Sequence, residues 1–147
     1  MEKKDLIKLL DEIFVPLGFK RKGNNWVLNG GELSKLINLQ KSNYSNAFYI
    51  NYGYIIKGLD LTTTTHVENR LASTKKEEQK RITDLLDLET EIPTDQRLAE
   101  LKKLITDKIA VQMQSVNIEA DLLKDLKKRS HLNNIPLVVK QYFNLPE

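Results

Sequence analysis

The amino-acid sequence predicts an α+β fold, an antiparallel sheet of about five strands with helices packed mainly on one face. Three observations carry this expectation. Leu33–Lys41 and Phe48–Ile56 alternate with a period of two, which gathers apolar side chains on one side of each strand. A helical apolar pattern precedes them, and only helical patterns follow after about residue 74. The order helix, strands, helices lacks the strand–helix alternation that builds a parallel sheet. The 147 residues are expected to form one domain, with a helix over 2–15, a sheet over 19–70 and a helical part over 75–143.

In the first helix Leu6, Ile7, Leu9, Leu10, Ile13 and Phe14 recur at helical spacing, and Pro16 and Gly18 stop it. Phe19–Lys22 is a short strand. Gly23-Asn24-Asn25 supplies turn residues that tolerate positive φ, and Trp26-Val27-Leu28 follows as the second strand. Asn29-Gly30-Gly31 is a second hairpin signal. The third strand puts Leu33, Lys35, Ile37, Leu39 and Lys41 on one face and Ser34, Leu36, Asn38 and Gln40 on the other. The polar loop 42–47 leads to the fourth strand. There Phe48, Ile50, Tyr52, Tyr54 and Ile56 share a face, opposite Tyr49, Asn51, Gly53 and Ile55.

The β-branched run Thr62–Val67 predicts a fifth strand near 63–70. Thr74 followed by Glu77 has the form of a capping box, opening a helix over 75–88 with Ile82, Leu85 and Leu86 inward. Pro93-Thr94-Asp95 starts a helix over 95–114 with Leu98, Leu101, Leu104, Ile105, Ile109 and Met113 along one stripe. Asn117 is the expected cap of a helix over 118–130, and Pro136 opens a last short helix ending near Phe143. The predicted core joins Trp26, Ile37, Phe48, Ile50 and Tyr52 to Leu6, Leu10 and Ile13.

Composition narrows the function classes. The chain has no cysteine, which excludes disulfides, thiol nucleophiles and thiolate metal sites, and a reducing cytoplasm is the expected location. No apolar run approaches the ~18 residues of a membrane span, and the charged start is not that of a secretory signal. Residues 1–58 carry nine Lys and Arg against five Asp and Glu, so the net charge of +3 resides in the sheet half. Such a bias steers an acidic partner but falls short of the dense basic stripe of a nucleic-acid binder.

Catalytic patterns are missing. His66 and His131 are the only histidines, with no HExxH pattern between them. No GxSxG elbow is present, and the Gly18–Gly23 segment lacks the Lys-Ser or Lys-Thr of a phosphate loop. Asp84/Asp87 and Glu89/Glu91 read as solvated pairs. Enzymatic activity, a cofactor and a metal are therefore not expected. Lys20-Arg21-Lys22 with Trp26, Tyr44, Tyr49, Tyr52 and Tyr54 offers a base-stacking surface, but no RNP-type motif accompanies it.

The polar set Asn38, Gln40, Ser42, Tyr49 and Asn51 is the candidate site, with Arg21 and Lys41 as charged rims. The apolar faces of the third and fourth strands match only in alternate registers. One sets Gln40 opposite Tyr49 and Asn38 opposite Asn51; the next sets Gln40 opposite Asn51. Both bring the amides to one face. A solvated face with cross-strand hydrogen bonds and a recognition surface are both compatible with this set.

At these positions the chain resembles the family filed as domain of unknown function 4304. The matching residues are Gly18, Phe19, Lys20, Lys22, Gly23 and Trp26, then Ile37, Leu39, Gln40, Lys41 and Ser42, then Phe48, Ile50, Asn51 and Gly53; His66, Arg70 and Leu71 match a later segment. The resemblance implies a small bacterial protein and carries no activity with it. The expected function is a non-enzymatic protein-binding module, regulatory or immunity-like. The alternative is a small-ligand or nucleic-acid binder using the polar sheet face.

Overall fold

The computed structural model describes residues 1–61 and 63–147. Helix α1 (Lys3–Phe14) is opened by Asp5, whose carboxylate accepts the Glu2 N–H at 2.8 Å. A single 3-10 turn, Val15–Leu17, ends at Gly18, whose φ of 98° lies where a side chain is strained. Strands β1 (Lys20–Lys22), β2 (Asn25–Asn29), β3 (Leu33–Lys41), β4 (Phe48–Ile56) and β5 (Val67–Arg70) then form one antiparallel sheet in sequential order. The register pairs Leu33 with Ile56, Asn38 with Asn51 and Gln40 with Tyr49, the first of the two registers that parity allowed.

Helix α2 (Lys76–Leu86) precedes a continuous helical stretch made of α3 (Thr94–Ile105), a π turn (Thr106–Ala110) and α4 (Val111–Gln114). Leu101, Ile105, Ile109 and Met113 are all buried at spacings of four, which over-rotate an α-helix at each step. The wider π turn takes back that drift and keeps the stripe on the core. Helices α5 (Glu119–Lys127) and α6 (Leu137–Tyr142) complete the chain.

The helices pack on the face of Trp26, Ile37, Leu39, Phe48, Ile50 and Ile56, all buried. Trp26 Nε1 donates to Asp11 Oδ1 at 2.8 Å, holding α1 over this face. Arg129, beyond α5, donates to Asn69 Oδ1 at 2.7 Å on β5. Tyr52 is half-buried among the predicted core residues; the rest are enclosed. Lys35 also projects into this layer, 6% exposed. Its ammonium donates to the Met113 carbonyl and, at 2.8 Å, to Asn117 Oδ1, so it caps the negative end of the long helix.

Three local expectations are corrected. Helix α2 begins at Lys76, and Thr74 does not cap it. Instead Gln79 Oε1 accepts the Ser73 N–H at 2.8 Å and Ser73 Oγ accepts the Lys75 N–H at 3.1 Å. Asn117 lies one residue before the cap of α5. The orphan N–H groups there go to Asp121, and Asn117 turns back to donate to the Gln114 carbonyl at 2.9 Å. The fifth strand is shorter than expected, because Thr63, Thr64 and Thr65 form a bent loop, with Thr63 Oγ1 donating to the Thr65 carbonyl at 2.8 Å. Thr62, placed in the same predicted run, lies outside the described residues.

Burial pushes the Tyr54 hydroxyl well above its ordinary value of 10.0, reinforced by Asp125. The folded protein thus keeps a proton that the unfolded chain releases. This contribution to stability is complete below about pH 10 and is lost as pH rises further. Lys35 acts in the opposite sense: desolvation lowers it from 10.5, so its burial becomes less unfavourable as pH rises toward that value. Tyr54→Phe is expected to flatten the alkaline fall in Tm above about pH 10. An unchanged fall in the variant would assign the loss to other groups.

Candidate functional site

The register places Lys22, Asn25, Asn38, Asn51 and Arg70 in one row across all five strands. Directly opposed residues share a face, so this row lies on the side of the sheet away from the helices. Its side chains bond in sequence. Arg70 Nε donates to Asn51 Oδ1 at 2.9 Å, Asn51 Nδ2 to Asn38 Oδ1 at 3.2 Å, and Asn38 Nδ2 to Asn25 Oδ1 at 2.9 Å. Gln40 Oε1 joins from the next row, accepting from Asn51 Nδ2 at 2.8 Å and Arg70 Nη2 at 3.2 Å.

Arg70 gives this ladder a direction. Guanidinium has only donors, so the group facing it must present oxygen. Each amide therefore turns its carbonyl toward β5 and its NH2 toward β1. The guanidinium itself stands 4.2 Å from the centre of the Tyr49 ring, a cation–π contact that fixes its plane. Asn51 is 6% exposed and needs these partners, since an unpaired buried amide costs about 1–3 kcal/mol. Asn38 is half-buried and Gln40 exposed, so the ladder opens outward on the side of β3.

Beside the ladder runs the row Leu36, Gly53 and Glu68. The threonine loop lies beside it and borders a partly open cavity of about 220 Å³, lined by Asn38, Gln40, Asn51, Thr64, Thr65 and Glu68 among others. This approach requires glycine: a Cβ on Gly53 would stand 2.2 Å from the Val67 carbonyl oxygen and 3.2 Å from Thr65 Oγ1. Gly53→Ala is expected to push β5 off the sheet edge and cost about 1–3 kcal/mol. Faster hydrogen exchange confined to β5 and the threonine loop would report it; uniform protection would show that the strand absorbs the methyl.

The structure brings Asn38, Gln40, Tyr49 and Asn51 together. It does not bring the two expected rims. Arg21 opposes Trp26 on the helix side and pairs with Asp11 at 3.2 Å. Lys41 opposes Phe48 on that same side, its ammonium donating to the Ser45 carbonyl at 2.9 Å. Ser42 organises the β3–β4 loop instead, its Oγ accepting the Tyr44 N–H at 3.2 Å. That loop is further tied by Leu88 N–H to the Asn46 carbonyl at 3.1 Å, and it holds Tyr44 97% exposed.

Asn25, Lys22 and Arg70 are not among the candidate site residues that the sequence offers. Asn25 was within reach, because matching Trp26 to Ile37 sets Asn25 opposite Asn38. Arg70 needed the register of a short edge strand that its own residues specify weakly. The basic and aromatic set does not assemble into a stacking surface, since Trp26 and Tyr54 are buried on the opposite face.

Both histidines are engaged in local hydrogen bonds. His66 Nδ1 accepts the Ile56 N–H at 2.8 Å, leaving Nε2 to donate to the Asp60 carbonyl at 2.9 Å. His131 accepts the Asn133 N–H at 3.3 Å on the surface. Among the described residues no three His, Asp or Glu side chains converge as metal ligands, and no helix is long and apolar enough to cross a membrane.

A family model described as "Domain of unknown function (DUF4304)" matches residues 10–116, well over half of the chain and all five strands. No curated protein and no solved structure matches.

Proposed function

The chain belongs to the DUF4304 family, whose description assigns no activity, and from that premise we propose that it is a non-enzymatic protein-binding module using the amide-ladder face of its sheet. One observation carries this reading: the helices cover one face, while the other presents amides locked in a single orientation by Arg70. Donors already held in place lose little freedom on binding, which favours recognition over mere solvation. The exposed Tyr44 on its tied loop is the kind of rigid aromatic that anchors protein interfaces. A regulatory or immunity-like role, in which the module occupies a partner's surface, fits a face that binds without reacting. A reducing compartment such as the cytoplasm suits a chain without cysteine.

The test pairs Tyr44→Ala with Gln40→Ala, both at exposed positions. Tyr44→Ala is a surface change of about 0.5 kcal/mol or less, and Gln40→Ala removes one acceptor of Asn51 and Arg70, worth about 0.5–1.5 kcal/mol, so Tm is expected to fall modestly with the fold retained. A stoichiometric partner recovered by the native protein should be lost with the double variant. Equal recovery by both proteins would move the interface elsewhere.

The cavity beside the threonine loop favours the second reading, a small ligand or nucleic-acid fragment seated against Asn38 and Asn51. Binding to the native state alone raises Tm. A thermal-shift panel of nucleotides and oligonucleotides therefore separates the readings, a clear rise supporting the second.

A further inference from the structure

We propose that the ladder face receives an acidic segment of a partner protein, its Asp and Glu carboxylates taken by amide N–H groups flanked by Lys22 and Arg70. This rests on the protein-binding reading and specifies its chemistry. Every amide oxygen of the ladder already accepts an N–H: Asn51 and Gln40 from Arg70, Asn38 from Asn51, and Asn25 from Asn38. What stays open is donors. Among the described residues, Asn25 Nδ2 and Gln40 Nε2 donate to no side chain or backbone group, and Asn38 Nδ2 spends one of its two hydrogens.

Charge on this face has the same sense. Lys20 and Lys22 stand at its β1 edge and Arg70 at its β5 edge, with the carboxylate of Glu68 beside them in the paired strands. The common amide orientation turns NH2 groups toward the two lysines, so the region over Lys22, Asn25, Asn38 and Gln40 is rich in donors and positive. A partner contributing lysine, or one needing acceptors, meets unpaired groups there. One contributing carboxylates meets charge-assisted donors. A nucleic-acid backbone shares the anionic chemistry, but of the aromatic residues that would stack its bases Trp26 and Tyr54 are buried and Tyr52 half-buried on the far face, which leaves Tyr44 and Tyr49.

Gln40→Glu isolates the claim. The change keeps the acceptor that Arg70 and Asn51 use, so the ladder stays intact, while it removes the outward NH2 and adds a negative charge. The ¹H–¹⁵N side-chain amide signals of Asn25, Asn38 and Gln40 are followed in the full chain during titration with hexaglutamate, hexaglutamine, hexalysine and a hexathymidine oligonucleotide at millimolar concentration. Hexaglutamate is expected to shift these signals and hexalysine to leave them in place. In Gln40→Glu the hexaglutamate affinity should fall roughly tenfold, the scale of one charge contact, with Tm unchanged or higher. Shifts of equal size from hexaglutamine would overturn the acidic specificity. So would tighter binding of hexathymidine than of hexaglutamate, in favour of nucleic acid. Silence from all four probes would also overturn it, and the Tyr44/Gln40 experiment then decides independently whether the face binds protein at all.

Discussion

Replacing Arg97 by leucine is expected to destabilise the fold by about 3–5 kcal/mol, because several backbone carbonyls lose a charged donor and each such bond is worth about 1.5–3 kcal/mol. Arg97 is 1% exposed. Its Nη1 lies 3.0, 2.6 and 3.0 Å from the carbonyl oxygens of Asp84, Leu85 and Asp87, and Nη2 lies 2.5 Å from that of Thr90. The last carbonyls of a helix have no intrahelical donor, and α2 ends here. One guanidinium from α3 thus serves the end of α2 and the connecting loop together. Leucine replaces part of the volume and none of the donors: the Leu85 carbonyl is left unpaired at about 1–3 kcal/mol, and those of Asp84, Asp87 and Thr90 each fall back on a single backbone N–H. Lysine keeps the charge without the planar fork and should recover only part of the loss. Urea unfolding reads the result as a lower midpoint at unchanged slope. A loss under about 1 kcal/mol would show that water reaches these carbonyls.

Phe48→Ala is expected to cost about 3–5 kcal/mol as well, by a different route. Phe48 is 2% exposed on the helix-covered face of β4, and its removal leaves a cavity that a strand held to β3 along its whole length does not readily close. Phe48→Leu retains most of the volume and should cost no more than about 1.5 kcal/mol. The ladder lies on the opposite face, so Phe48→Leu is expected to keep ligand or partner binding at temperatures where it remains folded. Losses of similar size in the alanine and leucine variants would show that aromatic contacts, rather than cavity volume, set the cost.

The ends of β3 and β4 agree between sequence and structure because both strands are half-covered. Apart from Leu36 and Ile55, their apolar residues face the helices, and slipping the pairing by one residue would expose that entire set. The same parity put Asn38, Gln40 and Asn51 on one face before any coordinate was known. The amphipathic stripes of α1 and of the long stretch 94–114 were legible for the same reason: burial repeats along them with the helical period. Helix caps were not. Thr74 and Asn117 have the right side chains, but each lies one residue before the cap position, at Lys75 and Ile118, and Ser73 and Asp121 accept the N–H groups there instead.

Tertiary structure alone decided the long-range polar contacts. The sequence puts Lys35 on the face of Leu33, Ile37 and Leu39 without saying what it meets and does not single out Arg97, because nothing local marks a cation that will be buried against carbonyls from another element, Met113 for one and Asp84 to Thr90 for the other. Arg70 joined the ladder only through the register of β5, a strand of four residues whose threonine-rich lead-in turned away as a loop. Periodicity reports which face of an element meets the core, since burial is a property each segment repeats along its own length. Which donor meets which acceptor depends on where separate segments come to rest, and only the assembled sheet and helices settle that.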